Sequence, residues 1–396
     1  MKKPLRAVPL FTALLGLVSL AGCGESGAPG TGNTPPPVTP PPTSSKLVCP
    51  PITLPVVHGA LGGVLDEPAP AYDWQAGWQS CEVTFKSRLY GSTLYAVLFA
   101  PERFDPARDR LPVVVIDPGS ETGLQSQYQW AARELAAHGY IAITVDPQGV
   151  GNSELVDYPQ TSDNYIDAAV STLDFIESDA NPLRQNTDIT RMGAAGHSLS
   201  AWALSWLQGE DTRIKAIVAW DNLATTDTGD KGTTAGGPAS DGIGQVIGGR
   251  PPLITPLRTV RPRVPAMGQA NDSSQETDPE VKKIAYNAWR EAGVPSMEIS
   301  FLGKGHIDWA QGRTADASSD SAKSRELQLF QYYNRAWFDL WLKNDASAIQ
   351  RLTATRVLGL TLAEIMEPAF YSALYLPAAG IDCPDILTGD CPAFQP

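Results

Sequence analysis

Gly193-Ala194-Ala195-Gly196-His197-Ser198-Leu199-Ser200-Ala201-Trp202 carries more structural information than any other stretch of this chain. Together with Arg191 and Met192, its small residues read as a short strand leading into Gly196, and residues 201–207 read as a helix. A serine therefore sits where a strand turns sharply into a helix. The residues two positions to either side of it, Gly196 and Ser200, are small, as a turn in which two backbones approach closely requires. Such a serine projects its hydroxyl beyond the strand end, with a helix N-terminus behind it.

The flanking sequence repeats the same alternation. Leu94-Tyr95-Ala96-Val97-Leu98-Phe99, Pro112-Val113-Val114-Val115-Ile116-Asp117 and Tyr140-Ile141-Ala142-Ile143-Thr144-Val145 precede the stretch as apolar runs. Residues 214–220, Val264-Pro265-Ala266-Met267-Gly268 and Met297-Glu298-Ile299-Ser300-Phe301 follow it. Between them the spacing predicts helices over 127–138, 165–178, 279–292 and 324–342; the second has apolar Ile166, Ala169, Val170, Leu173 and Ile176. Strands apolar on both faces and separated by helices specify an α/β fold, a mostly parallel central sheet with helices on both faces. Ligands in such sheets lie beyond the carboxyl ends of the strands. Residues 222–262 lapse into Gly, Thr, Ser and Pro, which reads as a lid or as a surface excursion. Residues 346–396 are an extension without a clear pattern.

Gly196-His197-Ser198-Leu199-Ser200 is similar to the Gly-x-Ser-x-Gly nucleophile elbow of α/β-hydrolases, with Ser200 in place of the second glycine. Asp146-Pro147-Gln148-Gly149-Val150-Gly151-Asn152-Ser153 resembles the Asp-x-x-Gly-x-Gly-x-Ser turn after that family's fourth strand. The resemblance runs in consistent order over about 94–342 and implies an α/β-hydrolase fold, with 47–396 as one catalytic domain. It implies Ser198 as nucleophile, followed in the chain by an acid and then a histidine. Of the four histidines, His58, His138, His197 and His306, only His306 lies beyond Ser198, in Gly303-Lys304-Gly305-His306 just after a strand. The acid expected from the resemblance is Asp272, in Gly268-Gln269-Ala270-Asn271-Asp272; Asp221, ending the run 214–220, and Asp278 are its rivals. The oxyanion hole is expected from the backbone N–H groups of Leu199 and of Ser120 in Asp117-Pro118-Gly119-Ser120. That Pro-Gly pair also occurs in polyesterase-like and platelet-activating-factor-hydrolase-like members. Trp220 and Trp309 flank the expected site loops and read either as a substrate pocket or as core. The implied reaction is carboxylic-ester hydrolysis through an acyl-enzyme, on a small-molecule or polymeric ester, with no cofactor. A peptidase or amidase using the same triad, or a non-catalytic envelope protein keeping the fold, are the alternatives.

The ends and the composition place this domain. Met1-Lys2-Lys3 and Arg6 precede an apolar stretch that ends in Leu20-Ala21-Gly22-Cys23. The pattern resembles a bacterial lipoprotein signal, which implies a signal peptide over 1–22, lipidation at Cys23 and attachment of an exported protein to a membrane of the cell envelope. Residues 23–46, rich in Pro, Gly and Thr, read as an extended tether. Setting Cys23 aside leaves four of the five cysteines. Proximity favours Cys49–Cys81 and Cys383–Cys391 as disulfides. No Cys-x-x-Cys pair is present, so no metal site is expected. The formal net charge of −13 argues against a nucleic-acid partner.

Overall fold

The computed structural model describes residues 47–53, 77–119, 123–156, 162–221, 223–225, 259–271, 279–310, 320–368, 372–388 and 391–394. The expected signal peptide, Cys23, the expected tether, and residues 226–258 of the expected lid or loop lie outside the described residues, as do Ser120, Asp272 and Asp278.

The apolar runs form the strands β1 (Trp78–Lys86), β2 (Thr93–Pro101), β3 (Leu111–Asp117), β4 (Ile141–Asp146), β5 (Thr187–His197), β6 (Ile214–Trp220), β7 (Ala266–Ala270) and β8 (Ser296–Ser300). Between them lie α1 (Gln129–Ala137), α2 (Ser162–Glu177), α3 (Leu199–Glu210) and α4 (Pro279–Glu291), and α5 (Asp320–Leu342) follows β8. The remaining chain forms α6 (Ala348–Leu352), a two-stranded ribbon of β9 (Arg356–Val357) and β10 (Leu360–Thr361), α7 (Leu362–Ile365), β11 (Ala373–Leu376) and β12 (Ile381–Cys383). The 10-stranded sheet has the order β1-β2-β4-β3-β5-β6-β7-β8-β11-β12. From β4 to β8 every neighbouring pair is parallel, while β1, β2, β11 and β12 join antiparallel at the two edges. This is the α/β-hydrolase fold.

Side chains alternate across a strand, so a run apolar at every position is stable only if both faces are covered. On β3, Val114 and Ile116 enter one core cluster with Trp130 of α1 and Phe330 and Trp337 of α5. Val113 and Val115 enter the other, with Tyr165 of α2 and Trp202 of α3. The turn after β4 is held by polar groups. The Asp146 carboxylate accepts the N–H groups of Gln125 at 2.8 Å and Asn152 at 3.1 Å. The Ser153 hydroxyl donates to the Asp146 carbonyl at 2.6 Å and accepts the Tyr95 N–H at 2.8 Å.

The two cysteine pairs are disulfide-bonded, with Cα separations of 5.4 Å for Cys49–Cys81 and 5.1 Å for Cys383–Cys391. Each fastens an edge strand, β1 or β12. Their sequence separations are 32 and 8, so the first removes more freedom from the unfolded chain. Serine at both Cys49 and Cys81 is expected to lower the unfolding free energy by about 3–4 kcal/mol, and serine at Cys383 and Cys391 by about 2–3 kcal/mol. Urea unfolding of the two double variants checks the ordering.

Candidate active site

β5 delivers its last residues to the carboxyl edge of the sheet, and α3 begins at Leu199. Gly196 makes the tight junction feasible. A Cβ there would lie 2.9 Å from the side chains of Leu204 and Ser200 and 3.0 Å from the Ser200 backbone, all on α3. Ser198 at the junction has φ 54 and ψ −115, a left-handed backbone rare for a residue with a side chain. Its N–H donates to the Trp220 carbonyl at 3.0 Å, which anchors the strained turn on β6. The Ser200 hydroxyl reaches the Pro118 carbonyl at 2.5 Å, tying α3 to the loop after β3. Small side chains are thus required at 196 and 200 for different reasons: Gly196 for clearance, Ser200 for a hydrogen bond that glycine lacks.

The loop after β8 brings His306 over the elbow, its Nε2 2.9 Å from Ser198 Oγ. The other ring nitrogen, Nδ1, is hydrogen-bonded to Asp221 Oδ2. Asp221 follows β6 directly, is fully buried, and also has φ 54. Its N–H donates to the Gln269 carbonyl at 2.5 Å. The residue against the imidazole is therefore Asp221, where the resemblance pointed to Asp272. The loop after β7 does approach the imidazole's partner, but through Asn271: its side-chain amide donates to Asp221 Oδ2 and its backbone N–H to Oδ1 at 3.2 Å. Spacing could not separate the two loops, because neighbouring parallel strands β6 and β7 end side by side. The one signal available was a charged residue directly ending an otherwise apolar strand.

His197, the residue before the serine, is 3 % exposed and spans two loops. Its Nε2 lies 2.6 Å from the His306 carbonyl. A carbonyl only accepts, so Nε2 carries a proton, and in the neutral ring Nδ1 is then the acceptor. The hydroxyl of Tyr128 donates to that Nδ1 at 2.8 Å and accepts the Gly119 N–H at 3.1 Å. One neutral tautomer satisfies the whole chain from the β3 loop to the β8 loop. Gly119 has no side chain because a Cβ there would stand 2.7 Å from His197 Nδ1. Its N–H is committed to Tyr128. Leu199, the first residue of α3, presents its N–H at the helix N-terminus where partial positive charge accumulates. No sequence pattern identified Tyr128; its role arises from a contact across 69 residues.

Trp220 and Trp309 both belong to the core cluster. Both are fully buried. Trp220 donates its indole N–H to Asn334 at 3.1 Å and Trp309 donates to Gln269 at 3.2 Å. The Trp309 ring stacks on Phe330 with centroids 4.9 Å apart. An indole with its N–H paired and its ring enclosed belongs to the core, here the floor under the two site loops. Two carboxyls end strands at the same edge. Burial pushes Asp146 up to about 7 against two backbone N–H bonds that lower it. Burial also drives Asp117 well above the usual carboxylate range, and neither of its oxygens has a hydrogen-bond partner among the described residues. Among the described residues no cluster of His, Cys, Asp and Glu is arranged to hold a metal ion, and no helix is long and apolar enough to cross a membrane.

A hydroxyl, an imidazole and a carboxylate thus lie in hydrogen-bond contact at the carboxyl edge of an α/β-hydrolase sheet. Comparison with known proteins points the same way. The family model described as PET hydrolase-like (PETase) matches residues 103–232. Cutinase 2 of Thermobifida cellulosilytica is 29% identical over 106 residues, 26% of this chain and 37% of the cutinase. Cutinase cut1 of Thermobifida fusca is 29% identical over 106 residues, 26% of this chain and 30% of the relative. Hydrolase LUC6 of a Fusarium species is 28% identical over 131 residues, 33% of this chain and 31% of that protein. The chain thus spans about a third of the length of the curated relatives it matches.

Proposed function

We propose that this chain is a serine hydrolase of carboxylic esters, with Ser198 as nucleophile, His306 as base and Asp221 as the acid that orients it. The observation that carries the proposal is the His306 Nε2 to Ser198 Oγ distance of 2.9 Å at a strained strand-to-helix turn. Ser198 Oγ attacks the ester carbonyl while His306 takes its proton. The N–H groups of Leu199 and, by chain position, Ser120 receive the oxyanion. Collapse of the tetrahedral intermediate expels the alcohol, which leaves with the proton from His306, and Ser198 holds the acyl group. Water, deprotonated by His306, then releases the acid and restores the serine. The buried Asp221 carboxylate stabilises the imidazolium at both stages.

Ester rather than amide chemistry is supported by the cutinase and PET hydrolase-like similarities, which place polyesters among the substrates to be tried. The disulfides suit an oxidising compartment. With the leader and Cys23 they support an exported protein held to a membrane by a lipid. The test is a panel of p-nitrophenyl esters, an aliphatic polyester film and a peptide anilide. Ester cleavage at least a thousandfold above peptide cleavage is the expected result. Cleavage of the peptide alone would replace the reading by the amidase alternative.

A further inference from the structure

Asn271 directly follows β7, next to Asp272, the position at which the resemblance expects the acid. It is 1 % exposed, and both of its donors are aimed at the carboxylate of the neighbouring loop: the side-chain amide at Asp221 Oδ2 and the backbone N–H at Oδ1. Oδ2 is also the oxygen that His306 Nδ1 uses. A carboxylate with no exposure needs such donors to remain ionised, because desolvation favours its protonated form. It also needs them to keep its plane, since rotation of the carboxylate would turn the imidazole away from Ser198. We infer that Asn271 is a positioning residue of the catalytic acid: its amide holds Asp221 ionised and fixes the oxygen that orients His306, dividing between two loops a task that a single acid loop would perform.

The inference rests on the reading of Ser198, His306 and Asp221 as the triad. Titratable groups near the pair among the described residues include His197, Asp308 and Lys304. The His197 ring lies 4.8 Å from that of His306, centroid to centroid. Asp308 accepts the Gly305 N–H at 2.8 Å on the same loop. Lys304 is paired with Glu326 of α5 at 2.9 Å. β7 and the residue after it bring the uncharged Gln269 and Asn271.

Two variants separate orientation from folding. Asn271→Ala removes the side-chain donor but keeps the backbone N–H. Asn271→Asp keeps the shape and sets a second carboxylate beside Asp221, which raises the proton affinity of both Asp221 and His306. Sites are counted by fluorophosphonate titration, and hydrolysis of p-nitrophenyl butyrate is followed from pH 5 to 10. Losing a hydrogen bond to a charged group predicts a fall in kcat of about 10- to 100-fold for Asn271→Ala, with KM within about twofold. Asn271→Asp is expected to move the acid limb of kcat/KM upward by about one pH unit. Wild-type kcat per titrated site together with an unmoved acid limb would overturn the positioning role while leaving the hydrolase reading intact. A wild-type chain that neither titrates nor cleaves the ester would overturn both.

Discussion

Ser198→Ala is expected to fold as the wild type does and to lose ester hydrolysis by about 10^5- to 10^6-fold, together with all labelling by a fluorophosphonate. The size follows from the chemistry. Without the hydroxyl no acyl-enzyme forms, and the remaining rate comes from binding and oxyanion N–H groups acting on water. The fold is spared because the strained turn is held by two hydrogen bonds, the Ser198 N–H on the Trp220 carbonyl and the Ser200 hydroxyl on the Pro118 carbonyl, which alanine at 198 leaves in place. Relief of side-chain crowding is not at issue, as alanine meets the same left-handed backbone that serine does. His306→Ala is expected to lose a similar factor, because residues that act as a unit fail together. Thermal melting, intact-protein mass spectrometry after labelling, and kcat on p-nitrophenyl butyrate measure the three parts. Stoichiometric labelling of Ser198→Ala would remove Ser198 as the nucleophile.

The second large effect distinguishes two aspartates. Asp221→Asn is expected to lower kcat by about 10^4-fold with little change in KM, because an amide facing Nδ1 favours the wrong imidazole tautomer and no longer stabilises the imidazolium. Asp272→Asn is expected to stay within about threefold of wild type. The contrast rests on geometry: Asp221 Oδ2 is the partner of His306 Nδ1, and Asp221 adopts φ 54 to place it there. A side chain held in a left-handed conformation at a strand end costs on the order of 1–3 kcal/mol. The fold retains that cost at both Ser198 and Asp221, two of the few non-glycine residues with positive φ. Loss of activity in Asp272→Asn with retention in Asp221→Asn would reverse the assignment. Both measurements use the same ester and the same site titration, so a variant that merely misfolds is recognised by its lost sites.

The arrangement also explains why His197 is not a competing base despite its place next to the nucleophile. Its Nε2–H is spent on the His306 carbonyl and its Nδ1 on Tyr128, so both ring nitrogens serve the scaffold. The two loops that must keep a fixed distance during catalysis, one after β3 and one after β8, are joined by this single ring. The core beneath them is aromatic and stiff, with Trp130, Trp220, Trp309 and Phe330 in mutual contact. Such a floor suits a site that must be held to fractions of an ångström.

Some of this was written locally in the chain. Apolar runs such as Val113-Val114-Val115-Ile116 dictate strands buried on both faces, and the small residues around Ser198 dictate a strand-to-helix turn, because both properties depend only on neighbours a few positions away. The cysteine pairs are likewise near neighbours in sequence. The edge strands β1, β11 and β12 were not legible, since short antiparallel strands at an edge carry weak patterning and owe their place to the sheet they join. The carboxylate that faces His306 was decided by tertiary structure alone. β6 and β7 end side by side, and the backbone at Asp221 brings its carboxylate to the imidazole. For the same reason Tyr128, His197 and Asn271 acquire their roles across 69, 109 and 50 residues of sequence, distances over which no local pattern can act. For Trp220 and Trp309 the sequence left pocket and core both open; each is buried, with its indole N–H paired to a side chain distant in the chain.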